Sequence, residues 1–123
     1  MICVSHLTAI DASAEQFIDG AAAGGFEGCG LRVIPPKHAP TTPIAGDKAR
    51  ILALRKRADD VGIRIFEAES FGIDGDTRIA DFLPALEAAA ELGAAYVVSG
   101  GIDNNEDRLA AGYAELAEAA QRF

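Results

Sequence analysis

Three segments of this chain share the form A-x-x-x-G just before an apolar run: Ala21 and Gly25, Ala58 and Gly62, Ala89 and Gly93. Alanine lets a helix lie close to a sheet, and a glycine four residues on supplies the left-handed conformation that ends the helix. The glycines stand 37 and then 31 residues apart, a period that fits one helix plus one strand. A chain with this repeat alternates strands and helices, which implies a parallel sheet. Carried forward once more, Ala120 asks for a glycine in the position just after Phe123, so a fifth strand is expected to begin where the sequence stops.

The elements between these stops are legible one by one. Ile2 to Thr8 reads as a strand, and Ser13 with Gln16 has capping-box spacing for a helix through about Ala23. Gly28 to Ile34 reads as a second strand, closed by Pro35 and Pro36, which cannot donate to a ladder. A loop from Lys37 to Gly46 leads to a helix capped by Asp47 and running to about Asp60. The third strand opens at Ile63 to Phe66, and a helix from Asp76 or Thr77 to about Leu92 tolerates Pro84 only in its first turn. Ala94 to Ser99 reads as strand four, and Asp103 with Glu106 has capping-box spacing for a last helix. The fold class is therefore α/β with four consecutive βα units. A (β/α)8 barrel takes about 250 residues, so these 123 make about half of one. An open doubly wound sheet is the rival, but no GxGxxG follows strand one and no GxxxxGK[ST] occurs anywhere. The polar ends of the strands, at His6, Arg32, Glu69 and Ser99, favour the barrel.

Charge narrows the function classes. A formal net charge of −8 opposes phosphate backbones and anionic membranes, so neither nucleic acid nor membrane is an expected partner. No apolar run is long enough to span a bilayer, and MICVSHLTAIDAS lacks the basic flank and apolar core of a signal peptide. Cys3 and Cys29 sit in apolar runs without CxxC spacing, which reads as buried free thiols and a cytosolic address.

The chemistry concentrates in Val61 to Asp76. There a β-branched and aromatic run delivers Glu67 and Glu69 ahead of Gly72, Asp74, Gly75 and Asp76. Parallel strands present ligands at their carboxyl ends. The two acids are candidates for substrate contact or proton transfer, or else one is solvated and the other pairs with Arg64 or Arg32. Asp74 and Asp76 read as turn and cap residues, and His38 as an exposed loop histidine.

GFEGCGLRVIPP, GIRIFEAESFGID and FLPALEAAAELGAAYVVSGG together resemble the sugar phosphate isomerase/epimerase family, whose fold is the xylose isomerase-like TIM barrel, related to the endonuclease IV type of apurinic nuclease. The resemblance covers nearly all of this chain and the first half of the family's fold. It implies isomerisation or epimerisation of a sugar or hydroxy-keto compound with a divalent metal (Mn, Mg, Zn or Co). The family's Glu, Asp, His and Glu ligands come from strands five to eight, so none carries over to a residue here and no metal is expected on this half alone. It also implies substrate-binding roles for His6, Arg32 and Glu69. Arg32 suits a carboxylate or phosphate, and His6 suits a hydroxyl or a proton in transit. The bland alternatives are a backbone-bonded His6 and an Arg32 ion-paired with Glu67 or Glu69. A half barrel leaves sheet edges and an inner face uncovered, so self-association or pairing with a C-terminal half is the expected partnership, and a non-catalytic association module is the competing function. Apurinic-site nuclease activity is a poorer third, given the acidic balance and the absence of histidines at the ends of strands three and four.

Overall fold

The computed structural model describes residues 1–35 and 43–123; His38 and much of the preceding loop lie outside them. The helix stops behave as the repeat requires. Gly25, Gly62 and Gly93 have φ of 79°, 76° and 82°. In each case the repeat alanine's carbonyl accepts the N–H of the residue after the glycine: Phe26 on Ala21 (3.1 Å), Ile63 on Ala58 (3.0 Å) and Ala94 on Ala89 (3.0 Å). This is the Schellman closure, repeated three times. All three alanines are buried.

The strands are β1 (Cys3–Ser5), β2 (Gly28–Arg32), β3 (Arg64–Ile73) and β4 (Tyr96–Gly101). The helices are α1 (Ala14–Ala23), α2 (Lys48–Val61), α3 (Leu83–Leu92) and α4 (Glu106–Ala120). The sheet is parallel throughout, in the order β1-β2-β3-β4. Because that order never reverses, crossovers of one hand leave their helices on one face. Accordingly α1 packs on α2 and α2 on α3, with Cys29 and Leu31 of β2, and Val33 just after it, fully buried in the core they share. The result is a half barrel, consistent with the N-terminal half of a TIM barrel.

Several boundaries differ from the sequence reading, each for a local reason. Strand β1 stops at Ser5 because its hydroxyl accepts the Leu7 N–H (3.1 Å) and Thr8 Oγ1 donates to the Ser5 carbonyl (2.7 Å). Such side-chain-to-backbone bonds compete with a ladder, and His6–Ala9 turns into a 3-10 helix instead. Strand β2 ends at Arg32, before the prolines, where Val33 and Ile34 both donate to the Glu69 carbonyl. Strand β3 continues to Ile73, so Glu67 and Glu69 lie within it. Strand β4 runs past Ser99 to Gly101. Helix α3 begins at Leu83 after a 3-10 turn, which puts Pro84 in the first turn. Asn105, not Asp103, caps α4; Asp103 instead accepts the Asn105 N–H and grips the Arg108 guanidinium with both oxygens. The Ser13–Gln16 capping box and the Asp47 cap both form.

No helix among the described residues is long and apolar enough to cross a membrane. Both thiols are free: Cys29 is buried, but Cys3 is only half-buried. Burial, with the charge of Glu69 nearby, pushes the Cys29 thiol up to about 12. Since the thiolate is the nucleophile, iodoacetamide at mild alkaline pH should label Cys3 and spare Cys29 until the chain is denatured. Equal labelling of both in the native protein would contradict this packing.

Candidate functional site

Alternation along the strands divides the sheet into a helix-facing side and an inner side. Val97 joins the helix-side core, so Tyr96 and Val98 point the other way, 61% and 37% exposed. Gly28, Gly30 and Arg32 alternate with the buried Cys29, Leu31 and Val33, which places them on the inner side as well. Bulges interrupt the register between Cys29 and Gly30 and between Ala68 and Phe71. Bulges re-aim side chains, and these flank Glu67 and Glu69. The Glu69–Ser70 peptide is cis.

Glu69 crosses over β2. Its Oε1 lies 2.2 Å from where a Cβ on Gly30 would stand, and Glu67 Oε1 lies 3.2 Å from the same point. The glycine is therefore the space the carboxylate occupies. Glu69 is 1% exposed; its Oε2 accepts the Ser5 hydroxyl at 2.9 Å, while Oε1 is buried with no hydrogen-bond partner among the described residues. Arg32 is the register partner of Glu69 on β2, yet no ion pair joins them, and Arg32 Nε and Nη1 are also buried without partners among the described residues. Neither Arg32 nor Arg64 forms an ion pair with Glu67 or Glu69 among the described residues. A buried polar atom left unpaired costs about 1–3 kcal/mol, more when charged, and native folds rarely leave three together.

His6 has another duty. Its ring is 3% exposed and stacks on Phe17 with centroids 4.5 Å apart. Nδ1 accepts the Arg32 backbone N–H (3.3 Å) and Nε2 meets the Ala12 carbonyl (3.0 Å), which places the ring proton on Nε2. Both nitrogens are thus occupied by backbone, and the histidine ties the 3-10 turn to the end of β2.

At the carboxyl ends of β2, β3 and β4 an open cleft of ≈ 580 Å³ is lined by Arg32, Ser70, Asp74, Arg78, Asp81 and Phe82, among others. Sequence reasoning did not single out Ser70 or Arg78, which have no motif around them. Asp74 shapes the turn as expected: its carboxylate accepts the Asp76 N–H (3.0 Å) and the Thr77 hydroxyl (2.8 Å). Among the described residues, no three His, Cys, Asp or Glu side chains are grouped to hold a metal ion.

A four-stranded parallel sheet with this strand order, helices on one side and a polar cleft at the strand ends has a counterpart among solved structures. The crystal structure of a xylose isomerase domain containing protein from Salmonella typhimurium LT2 superposes with a TM-score of 0.62 over 81% of this chain, at 18% identity. The fold is a half barrel like part of that xylose isomerase domain protein. At that identity the likeness concerns fold alone, and this chain spans 36% of the length of that protein. No family model matches the sequence, and no curated protein does. The xylose isomerase-like half barrel thus brings Arg32 and Glu69 together on its inner side, with His6 behind Arg32.

Proposed function

We propose that this chain is the N-terminal half of a sugar or hydroxy-keto isomerase or epimerase, cytosolic and dependent on a divalent metal. The carrying observation is the set of three buried polar atoms without a hydrogen-bond partner among the described residues, Arg32 Nε and Nη1 and Glu69 Oε1, the arginine lining a cleft at the functional end of a barrel. In this reading Arg32 holds an oxygen-rich group of the substrate and Glu69 Oε1 accepts from a hydroxyl. His6 is a positioning residue that fixes the backbone of Arg32. Among the described residues no side chains group to hold a metal ion; in this reading the metal, which would polarise the substrate carbonyl, is held by residues of the second half, and no step here runs through it.

The test is proton exchange in heavy water by the intact polypeptide, supplied with Mn²⁺ or Mg²⁺ and a panel of ketoses and hydroxy-keto acids. Deuterium is expected at the carbon beside the carbonyl, with Arg32→Ala raising KM about tenfold or more, as for a lost charge-assisted hydrogen bond. Absence of exchange across the panel with every metal would sink the proposal. A second reading, a half barrel that serves association, is favoured by the exposed Tyr96 and Val98 on the edge strand β4. Metal-dependent exchange by the four units alone would exclude it.

A further inference from the structure

The Glu69 carboxylate does not stand over its own register partner. Arg32 lies opposite it on β2, yet the carboxylate leans over Gly30 and reaches Ser5 on β1, the residue paired with Gly30 from the other side. Glu67 opposes that lean. Its Oε1 lies 3.2 Å from the same point over Gly30, and like charges so close repel. Among the described residues the Ser5 hydroxyl is what holds Glu69 there, donating to Oε2 at 2.9 Å. That hydroxyl has one proton to give, and its oxygen accepts the Leu7 N–H at 3.1 Å, which fixes its direction. Thr8 Oγ1 pins the corner further by donating to the Ser5 carbonyl at 2.7 Å. His6, the next residue, accepts the Arg32 backbone N–H, so one corner after β1 anchors both polar groups of the inner side.

We infer that Ser5 is a positioning residue of the site: its hydroxyl holds the Glu69 carboxylate across Gly30 and leaves Oε1 as the oxygen offered to a ligand. A hydroxyl donating to a carboxylate makes a charge-assisted bond, about twice as strong as a neutral one. It occupies Oε2, while Oε1 stays buried without a partner among the described residues. Gly30 completes the arrangement by having no side chain where the carboxylate crosses. This role rests on the proposed reading of Glu69 as acceptor of a substrate hydroxyl, and it adds a residue of β1 to that site.

The test reads how firmly the carboxylate is held. Gly30→Ala puts a Cβ 2.2 Å from Glu69 Oε1, so its cost in urea unfolding of the intact polypeptide rises with the grip on Glu69. In a Ser5→Ala background, the fold-change that Gly30→Ala makes in the unfolding constant should shrink about tenfold, as for residues coupled through a shared neighbour. Ser5→Thr keeps a hydroxyl and should preserve the full cost. Should Ser5→Ala not fold, Ser5→Cys, a weak donor, takes its place. In the heavy-water assay Ser5→Ala should raise KM about tenfold and leave kcat within about threefold, the mark of lost binding without lost chemistry. Ser5→Thr should restore KM. Shrinkage of less than about threefold, or a KM that Ser5→Ala does not move, overturns the inference. Coupling without exchange on any member of the panel keeps the hold of Ser5 on Glu69 and defeats the isomerase reading; exchange with additive costs does the reverse.

Discussion

Phe71→Ala is expected to remove about 3–5 kcal/mol of folding stability, a large part of what a domain of this size has. Phe71 is fully buried on the helix side of β3, and its ring meets Phe82 edge-on with centroids 5.4 Å apart. Truncation therefore forfeits the ring's own burial and the aromatic pair, itself worth about 0.5–1.5 kcal/mol. The surroundings have little freedom to collapse into the cavity. The Phe71 carbonyl is held by the Ser99 hydroxyl at 2.7 Å, and Ser99 is its register partner on β4. Phe82 lies at the end of the 3-10 turn that feeds α3 and also lines the cleft, so the loss should reach the mouth of the site. Urea unfolding followed by far-ultraviolet circular dichroism measures it, with Phe71→Leu as a volume-conserving control expected to cost less than about 1.5 kcal/mol. A cost below about 1 kcal/mol for the alanine variant would mean that β3 and its helices do not form one core.

How much of this was legible in the sequence depended on whether the signal was local. The A-x-x-x-G stops were readable because a helix end is closed by a few neighbouring residues, and Gly25, Gly62 and Gly93 all close as expected. The Ser13–Gln16 box and the Asp47 cap were readable for the same reason. The third strand was read too short because Glu67, Glu69, Ser70 and Gly72 look like the end of a strand. They belong to a strand whose inner side is polar and whose bulges bring acids onto it, which only pairing with β2 and β4 reveals. The first strand was read too long because the Ser5 and Thr8 bonds that divert it add nothing to an apolar pattern. Arg32 and Glu69 were identified as site candidates from their strand positions. That they stand as register partners without an ion pair required coordinates, since adjacent opposite charges in a sequence reading are most simply assumed to neutralise each other. Ser70 and the Asp81-neutralised Arg78 were invisible for a further reason: a cleft assembled from three strand ends has no contiguous signature.

Gly30→Ala should be the most damaging single methyl that can be added to the inner side, costing about 2–4 kcal/mol through overpacking and a broken hydrogen bond to a charged group. The new Cβ would stand 2.2 Å from Glu69 Oε1 and 2.8 Å from Glu67 Cγ. A flexible exposed glutamate would swing away at little cost. Glu69 has no such exit: it is 1% exposed, tied to Ser5 through Oε2, and flanked by Glu67 on the same strand. Moving it breaks the Ser5 bond and leaves a buried carboxylate with no partner at either oxygen. Gly72→Ala, further along β3, is the control, because nothing lies within 4 Å of its added Cβ and its φ is not positive; it should change stability by less than about 0.5 kcal/mol. A double-mutant cycle then isolates the cause. In a Glu69→Ala background the cost of Gly30→Ala should fall by about half or more, since residues in contact couple by about 0.5–3 kcal/mol. Additive costs would show that the glycine answers to the backbone bulge beside it and not to the carboxylate. The coupling, if found, explains why a strand in the centre of the half barrel carries glycine at a position where β-branched residues pack best: the side chain that fills this space comes from its neighbour, Glu69.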